Sequence, residues 1–483
     1  MSPRKKSMTC NLSDNVSAKG ARFFAGALAL MLAVALCPGT AWADVRSSDV
    51  ITGATVEMRG LPEDECPSID AEYACLMAED GTVLFERKAD EQVPIASITK
   101  VMTALVALEN APLDTRVEVS RYAASVGEST AGLQAGDVMT LDQALSALLV
   151  PSGNDAAVAI AESVGGVLLQ NGAAAGGADG SANSDEGTPF AAFVNAMNEK
   201  AQQLGMTESV FANPHGLDMG DFSDEMHCSA RDVALLCQAA MKNETFRTAV
   251  DQATANVAVT RNGSPATITL QSTDLLLGVY EGACGIKTGY TSAAGPCFAG
   301  ACQKPDTLLL GIVLDSASEE QRFDDVVNLY DWYSSHIVSY TLAQSNTTTT
   351  ATLSGETATV PVVAYAPLAA WIDKTVPVTF ADPAAAVDVF AFDGEIEQTF
   401  TFDDIEGEVT AGQVVGQAIF YQNGELLAKQ DLIACESVPA PDFFEGLGIW
   451  FQRFIAGFTG TTLEASASVI NQIKPVTPAA AAA

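Results

Sequence analysis

The sequence has few of the residues that build metal, cofactor or nucleic-acid sites. It contains three histidines in 483 residues and no Cys-X-X-Cys pair, which leaves too few ligands for a zinc site. Lysine and arginine number 24 against 60 aspartates and glutamates, so the net charge is −36 at pH 7. A chain this acidic repels nucleic-acid phosphates. We therefore expect no metal, no cofactor and no nucleic-acid partner.

The sequence also lacks an apolar run of clear membrane-spanning length. The run at residues 23–37 is short for a bilayer; five basic residues lie before or at its start, and Ala41-Trp42-Ala43, typical of a signal-peptidase site, follows it. We interpret residues 1–43 as a signal peptide, with a membrane anchor as the alternative. Its removal lowers the number of basic residues from 24 to 19 and the number of acidic residues from 60 to 59, so the net charge becomes −40. The mature chain is then exported and begins at Asp44.

Eight cysteines remain after residue 43, and an even number in an exported chain permits up to four disulfides. Short spacing favours two local pairs, Cys66–Cys75 and Cys228–Cys237. Cys284 is near both Cys297 and Cys302 in sequence, so the pairing among these three stays open.

Residues 44–344 mix helix and strand patterns. Asp80-Gly81 between two apolar segments indicates a hairpin, and Thr140 with Gln143 forms a capping box ahead of a helix. Strand patterns follow near residues 267–314. We expect an α+β domain in which helices pack on an antiparallel sheet. Within it, the Gly-, Ala- and Ser-rich residues 165–187 predict a flexible insertion.

The composition changes after residue 344. Residues 345–437 are rich in threonine, valine and turn residues, and Asn423-Gly424 between two apolar segments is typical of a β-hairpin. We expect a small all-β domain there.

Residues 438–460 predict an amphipathic helix. Its large apolar side chains recur at helical spacing on one face, at Phe443, Leu447, Trp450, Phe451, Phe454 and Phe458. The helix is too short to span a bilayer and suits a membrane interface, with packing on the protein as the alternative. We expect residues 461–483 to be a disordered tail.

Three short motifs occur in a fixed order: Ser97-Ile98-Thr99-Lys100, Ser152-Gly153-Asn154 and Lys287-Thr288-Gly289. Each alone is common by chance, as a solvated helix start, a turn and a strand end. Together, in a secreted chain, they predict a serine acyltransferase whose base is a lysine, with no need for a Ser-His-Asp triad.

Lys100 is the candidate base for Ser97, because side chains three apart share a helix face. A lysine pKa is about 10.4, and lowering it by roughly three units costs about 4 kcal/mol. Burial and a nearby cation, for which Lys287 is the candidate, can provide this shift. Ser152 can relay a proton to a leaving nitrogen, and the amide of Asn154 can hold a substrate carbonyl or Lys100 itself.

The third motif is expected on a strand. Lys287 offers a cation, Thr288 a hydroxyl, and Gly289 an edge without a side chain. A peptide can lie against such an edge as an added strand.

With these motifs, the chain resembles the serine-type D-alanyl-D-alanine carboxypeptidases, which are low-molecular-mass penicillin-binding proteins. The resemblance covers about residues 50–438 and extends to Asn213-Pro214-His215-Gly216-Leu217-Asp218, Ser229-Ala230-Arg231-Asp232 and Gly285-Ile286. It implies a penicillin-binding/β-lactamase-like transpeptidase domain, then a small β domain and a terminal amphipathic helix. The 165–187 insertion and the cysteines at 228, 284, 297 and 302 depart from the family pattern.

The resemblance also implies a reaction. The terminal D-alanine of peptidoglycan pentapeptide stems would be removed through a Ser97 acyl-enzyme, and β-lactams would acylate Ser97. The implied oxyanion hole is formed by the amides of Ser97 and Tyr290, and Arg322 is the implied anchor for the substrate carboxylate. His215 and Asp232 would have supporting roles. The implied location is the outer face of the cytoplasmic membrane, at the cell wall.

Two alternatives stay open. A β-lactamase shares the three motifs, but it usually has a deacylating glutamate between the second and third, and no Glu-X-X-Leu-Asn occurs there. A non-catalytic wall-binding scaffold would depend on the β domain, and the intact motifs argue against it. The third residue of the stem, an endopeptidase activity and the oligomeric state are not determined by the sequence.

Overall fold

The computed structural model describes residues 47–62, 65–172, 187–219, 226–305, 307–353 and 355–476, so the predicted signal peptide lies outside the described residues. The described residues divide into two units, residues 47–50 with 54–66, and the remainder. Strand β1 is Val50–Ile51. The first unit contains strand β2 (Ala54–Thr55) and helix α1 (Val56–Arg59), whose first turn is capped by the Thr55 hydroxyl.

An antiparallel sheet organises the second unit. Its strands are β3 (Tyr73–Ala78), β4 (Val83–Arg87), β9 (Ala283–Thr291), β10 (Gly295–Gln303) and β11 (Leu308–Leu314). They lie side by side in the order β4-β3-β11-β10-β9. The predicted hairpin at Asp80-Gly81 joins β3 to β4, and the Asp80 carboxylate accepts from the amide of Thr82 at 2.8 Å. Every residue of the central strand β11 is buried, as its continuous apolar sequence requires.

One face of this sheet is covered by helix α8 (Gln321–Ser335). Two glycines allow the helix to approach closely. A Cβ at Gly300 would lie 2.8 Å from the Tyr330 hydroxyl, and one at Gly311 would lie 3.1 Å from the Tyr330 ring. Side chains at these positions would therefore push the helix away from the sheet.

The opposite face carries the main hydrophobic core, to which Ala299, Ala301, Leu310 and Ile312 contribute. The helices of this region are α2 (Lys100–Asn110), α3 (Leu141–Leu149), α4 (Asn154–Gln170), α5 (Pro189–Gln203), α6 (Ala230–Met241) and α7 (Glu244–Val250). The predicted cap of α3 is present, because the Thr140 hydroxyl accepts from the amide of Gln143 at 3.3 Å. A side sheet has the order β5-β6-β7-β8, with β5 (Arg116–Glu118), β6 (Val138–Thr140), β7 (Thr254–Arg261) and β8 (Ser264–Gln271).

The all-β region begins earlier than we predicted. Strand β12 (Ile337–Thr341) directly follows α8 and pairs with β17 (Ala386–Phe390). The boundary therefore lies at His336 rather than at residue 344, because the pairing partner of β12 is about 50 residues away and leaves no local signal. The α+β prediction for the whole chain is confirmed.

The remaining strands are β13 (Thr348–Leu353), β14 (Glu356–Pro361), β15 (Ala364–Pro367), β16 (Thr375–Phe380), β18 (Ile396–Phe402), β19 (Val414–Gln422) and β20 (Glu425–Ala434). Strands β13 and β14 form a separate hairpin. The predicted hairpin at Asn423-Gly424 joins β19 to β20, and both turn residues have the positive φ angles that this dipeptide favours. Val376, Phe380 and Phe420 lie in the core of this domain.

Helix α9 (Phe443–Phe458) is present within the predicted residues 438–460 and begins with an Asp442–Glu445 capping box. Arg453 holds it against the β domain by donating to the carbonyl oxygens of Ala369 (2.8 Å) and Trp371 (3.1 Å). None of its residues is buried. Among the residues that the structure describes, no helix combines the length and apolar character needed to cross a bilayer.

The prediction of a disordered tail at 461–483 is wrong for residues 468–476. Strand β21 (Ser468–Val469) adds to β15, giving a six-stranded sheet in the order β18-β19-β20-β16-β15-β21. Asn471 is buried and donates to the Leu342 carbonyl and the Gln398 side chain, both at 2.9 Å. Its side-chain oxygen accepts from the Gln344 backbone amide at 2.7 Å. Buried hydrogen bonds thus fix the segment that follows α9.

Two further expectations need correction. Residues 165–170 are the last turns of α4 rather than part of a flexible insertion, and Gly165 is buried; residues 173–186 lie outside the described residues. The favoured disulfides are absent, since Cys75, Cys228, Cys237, Cys284, Cys297 and Cys302 are all thiols. Cys284 and Cys302 lie on the paired strands β9 and β10, yet both are free thiols.

Candidate active site

The first motif lies in a tight turn at the head of α2. Residues 96–99 form a 3₁₀ turn, and α2 begins at Lys100. Ala96 has φ +48°, in the left-handed region. A Cβ at Gly216 would lie 1.9 Å from the Ala96 carbonyl oxygen, and one at Gly289 would lie 2.8 Å from the Ile95 carbonyl oxygen. Two glycines from distant segments therefore pack closely against the backbone that carries Ser97.

Lys100 is fully buried, and its Nζ is 2.7 Å from the Ser97 hydroxyl oxygen. The amine also donates to the His215 carbonyl oxygen at 2.7 Å. Burial, followed by the charge of Lys287, lowers the pKa of Lys100 well below its ordinary value, while Asp155 acts in the opposite direction. The predicted pair of Ser97 and Lys100 is therefore in hydrogen-bond contact, with the amine shifted towards its neutral form.

The His215 carbonyl is positioned by a loop ordered around Asn213. The Asn213 side-chain oxygen accepts from the amides of His215 (3.2 Å) and Gly216 (2.7 Å), and its amide group donates to the Leu217 carbonyl at 2.9 Å. Burial lowers the pKa of His215 to about 3, with Lys100 as a smaller contribution. A neutral imidazole and a contacting carbonyl agree with the supporting role predicted for His215.

Asp232 lies away from this loop. Its carboxylate accepts from the Glu208 amide and the Ser209 hydroxyl, and its amide donates to Ser229 at the start of α6. Asp232 therefore ties α6 to a neighbouring loop, which is a structural role.

The second motif connects α3 to α4. Ser152 has φ +67°, in the left-handed region, and Asn154 is the first residue of α4. The Asn154 amide group donates to the Gly127 carbonyl, and its backbone amide donates to the Ser129 carbonyl, both at 2.9 Å. Its buried side-chain oxygen has no partner among the described residues.

The third motif lies on β9, the last strand of the central sheet. Lys287 is buried and donates to the Thr288 carbonyl at 2.9 Å. The Thr288 hydroxyl is 2.6 Å from that of Thr273. Burial and then Arg322 lower the pKa of Lys287 to about 7, while Asp274 raises it. Gly289, through its contact with Ile95, brings the strand edge next to Ser97.

Arg322 approaches β9 from the first turn of α8. It is buried, and it donates to the Gly289 carbonyl at 3.0 Å and to Glu319 at 3.1 Å. Its Nε has no partner among the described residues. Tyr290, in contrast, keeps 55% of its surface exposed.

These elements surround one cleft of about 240 Å³. Ser97, Ser152, Asn154, Thr288, Gly289, Tyr290 and Arg322 line it. Lys100 and Lys287 lie beneath its surface. The structure thus brings together all nine residues that we predicted for the site, although they come from segments more than 200 residues apart.

The sequence did not reveal three other residues near the site. Asp274 is buried, and burial raises its pKa to about 6. Asp155, also buried, accepts from the amides of Ala131 and Leu133 and so orders the loop before β6. Glu128 lines the cleft itself. None belongs to a motif; for Asp155, its place directly after Asn154 was the only signal.

A serine in contact with a buried lysine, beside an edge strand that carries a second buried lysine, is the arrangement of a serine hydrolase that needs no histidine base. Comparison with known proteins agrees with this class. Residues 62–171 and 167–318 match the family model Peptidase_S11, described as D-alanyl-D-alanine carboxypeptidase. The match extends over more than half of the chain. The chain therefore belongs to this family and is a serine-type D-alanyl-D-alanine carboxypeptidase.

Two curated relatives carry the same description. D-alanyl-D-alanine carboxypeptidase DacF of Bacillus subtilis (strain 168) is 27% identical over 383 residues, covering 77% of this chain and 87% of the relative. The D-alanyl-D-alanine carboxypeptidase of Streptomyces sp. (strain K15) is 32% identical over 260 residues, covering 52% and 82%. The crystal structure of the Streptomyces K15 DD-transpeptidase is 31% identical, with a TM-score of 0.48, and covers 55% of this chain and 97% of that one.

Proposed function

We propose that this protein removes the terminal D-alanine from peptidoglycan pentapeptide stems through an acyl-enzyme on Ser97. The observation that supports the mechanism most is the 2.7 Å contact between the Ser97 hydroxyl and the buried amine of Lys100. A lysine acts as a base only when it is neutral, and burial together with the charge of Lys287 favours that state.

The stem lies along the free edge of β9 as an added strand. Arg322 binds its terminal carboxylate, and the unpaired side-chain oxygen of Asn154 accepts from a stem amide. This placement brings the carbonyl carbon of the penultimate D-alanine next to the Ser97 hydroxyl. Lys287 adds positive charge at the same end of the cleft.

In the acylation step, the Ser97 oxygen forms a bond to that carbonyl carbon while its proton passes to the Lys100 amine. The amides of Ser97 and Tyr290 donate to the oxyanion. The carbon–nitrogen bond then breaks, and the leaving D-alanine nitrogen takes a proton from Lys100 through the Ser152 hydroxyl. Lys100 is neutral again at the end of this step.

In the deacylation step, water attacks the ester carbon and gives a proton to Lys100. The carbon–oxygen bond to Ser97 breaks, the serine oxygen recovers the proton, and a stem with one D-alanine fewer is released. A β-lactam follows the first step only in part, because its opened ring stays attached and no leaving group departs. We therefore expect a long-lived Ser97 adduct with penicillin.

The proposed location is the outer face of the cytoplasmic membrane. A signal peptide at 1–43 would export the chain, and the exposed apolar side chains of α9 would bind the membrane surface. The strong negative charge of the chain implies that this binding is apolar rather than electrostatic.

The experiment is to incubate the mature chain, residues 44–483, with diacetyl-Lys-D-Ala-D-Ala and to measure released D-alanine. Ser97→Ala should abolish release, and the exposed Ser339→Ala should not change it. Mass spectrometry of the penicillin-treated protein should place one adduct on Ser97. Equal activity of the wild type and Ser97→Ala would disprove the proposal. Rapid penicillin turnover without stable labelling would instead identify a β-lactamase, and absence of both reactions would favour a non-catalytic scaffold.

A further inference from the structure

Glu128 stands at the active-site cleft in a backbone conformation that disfavours its side chain. Its φ is +65°, in the left-handed region that glycine adopts without strain. A glutamate there costs conformational free energy, and such residues concentrate at functional sites. A side chain kept in this conformation beside the cleft is therefore expected to contribute to function.

The residues on either side of Glu128 are fixed to the second motif. The Gly127 carbonyl accepts from the Asn154 side chain, and the Ser129 carbonyl accepts from the Asn154 backbone amide. The Ser129 hydroxyl also donates to the Pro151 carbonyl at 2.9 Å. Glu128 is thus held beside Ser152 by hydrogen bonds on both sides, and it lines the same cleft as Ser97 and Arg322.

Among the residues that the structure describes, the two carboxylates that line the cleft differ in their partners. Glu319 pairs with Arg322 at 3.1 Å. The exposed Glu128 carboxylate makes no hydrogen bond or ion pair with any residue that the structure describes. A solvated acid beside the catalytic serine is available to a cationic group on the substrate.

We propose that Glu128 determines substrate specificity by pairing with an ammonium group on the side chain of the residue that precedes D-Ala-D-Ala in the stem. This inference rests on the proposed function. Arg322 takes the negative end of the peptide, and Glu128, on a different wall of the cleft, takes a positive charge further along it. The cleft would then match a peptide that carries both charges.

The test uses two peptides that differ by one charge: acetyl-Lys-D-Ala-D-Ala with a free side-chain amine, and its twin with that amine acetylated. An exposed ion pair contributes at most about 1 kcal/mol, so we expect the wild type to favour the free amine by about two- to fivefold in kcat/KM. Glu128→Gln should abolish the preference and Glu128→Lys should reverse it.

Glu356→Gln is the matched control. It removes one exposed carboxylate from the β domain and therefore measures how strongly the overall negative charge attracts a cationic peptide. The preference for the free-amine peptide should stay at the wild-type value. A wild type that cleaves both peptides equally, or a preference that survives in Glu128→Gln, overturns the inference while leaving the proposed function standing. An equal loss of kcat for both peptides in Glu128→Gln, with a longer-lived penicillin adduct, would also overturn it and identify Glu128 as a deacylating base. If the wild type cleaves neither peptide, the proposed function itself fails.

Discussion

The Lys100 amine donates a hydrogen bond to the carbonyl oxygen of His215, at 2.7 Å, while contacting the Ser97 hydroxyl at the same distance. A carbonyl accepts from an amine in either protonation state. The contact therefore holds Nζ in place without requiring a charge, and the lone pair of the neutral amine is directed to Ser97. The His215 carbonyl thus positions the base, whereas burial and the charge of Lys287 control its protonation.

Lys100→Arg should abolish the base while keeping a positive charge at the site. A guanidinium does not lose its proton in proteins, so Ser97 acylation should slow by about a hundred- to ten-thousandfold. The rate of labelling by a fluorescent penicillin measures this step directly. Lys242→Arg, at an exposed position after α6, should label at the wild-type rate. Fast labelling of Lys100→Arg would show that Lys100 is not the base.

Gly289→Ala should damage both stability and catalysis. A Cβ there would lie 2.8 Å from the Ile95 carbonyl oxygen, so β9 must move away from the turn that carries Ser97. We expect a loss of about 1–3 kcal/mol in the free energy of unfolding, together with slower acylation. Gly166→Ala is the control, because no atom lies within 4 Å of a Cβ at that helical position. It should stabilise the protein by about 0.5–1 kcal/mol. Unchanged denaturant midpoints and acylation rates for Gly289→Ala would contradict the close packing.

Because of Lys287, the free energy of unfolding should increase as the pH rises above 7. Its pKa is about 7 in the folded protein and about 10.4 when unfolded, so between these values the unfolded chain binds more protons. The free energy of unfolding must then increase with pH in that window. Lys287→Met should reduce the slope, measured by urea unfolding from pH 7 to 8.5. Lys242→Met, which removes an exposed lysine, should keep the wild-type slope. A slope that Lys287→Met leaves unchanged would argue against a buried, easily deprotonated lysine.

The sequence allowed the site to be predicted because each motif is local. Ser97 and Lys100 are one helical turn apart, and Lys287 to Gly289 are consecutive on one strand. Only their assembly required long-range information, which the order of the motifs and the family resemblance provided. The hairpins at Asp80-Gly81 and Asn423-Gly424 were predictable for the same reason, since the turn residues themselves determine the geometry.

What could not be predicted depends on contacts between distant segments. Strand β21 has two residues, and its pairing partner β15 lies about 100 residues earlier, so no periodicity marks it. Asp274 and Glu128 could not be predicted as residues near the site, because only the fold brings them there. The start of the β domain at Ile337 was missed because β12 pairs with β17 rather than with a neighbouring strand.

Asn471 should be essential for the order of the segment after α9. Its side chain exchanges three hydrogen bonds with residues 342, 344 and 398, and replacing it with alanine leaves buried groups without partners. We expect Asn471→Ala to cost about 1–3 kcal/mol for each such group. Amide hydrogen exchange in this variant should be faster at the backbone amides of positions 470 and 471, which donate to the Val363 carbonyl in the wild type. Asn195→Ala, on the exposed side of α5, should change stability by less than about 0.5 kcal/mol. Wild-type exchange in Asn471→Ala would contradict this role.

The exposed face of α9 should bind uncharged lipid surfaces. Trp450 and Phe454 stack 5.4 Å apart and keep more than half of their surface exposed, whereas the helix's one basic residue, Arg453, donates to backbone carbonyls of the β domain. Burial of a large apolar side chain contributes about 1.5–3 kcal/mol. Trp450→Ser combined with Phe454→Ser should therefore weaken binding to phosphatidylcholine vesicles more than tenfold in a flotation assay, and added salt should not weaken wild-type binding. Gln452→Ser, at the exposed position midway between that pair in sequence, should bind like the wild type. Binding that the double variant retains, or that salt abolishes, would show that this apolar face is not the membrane-binding surface.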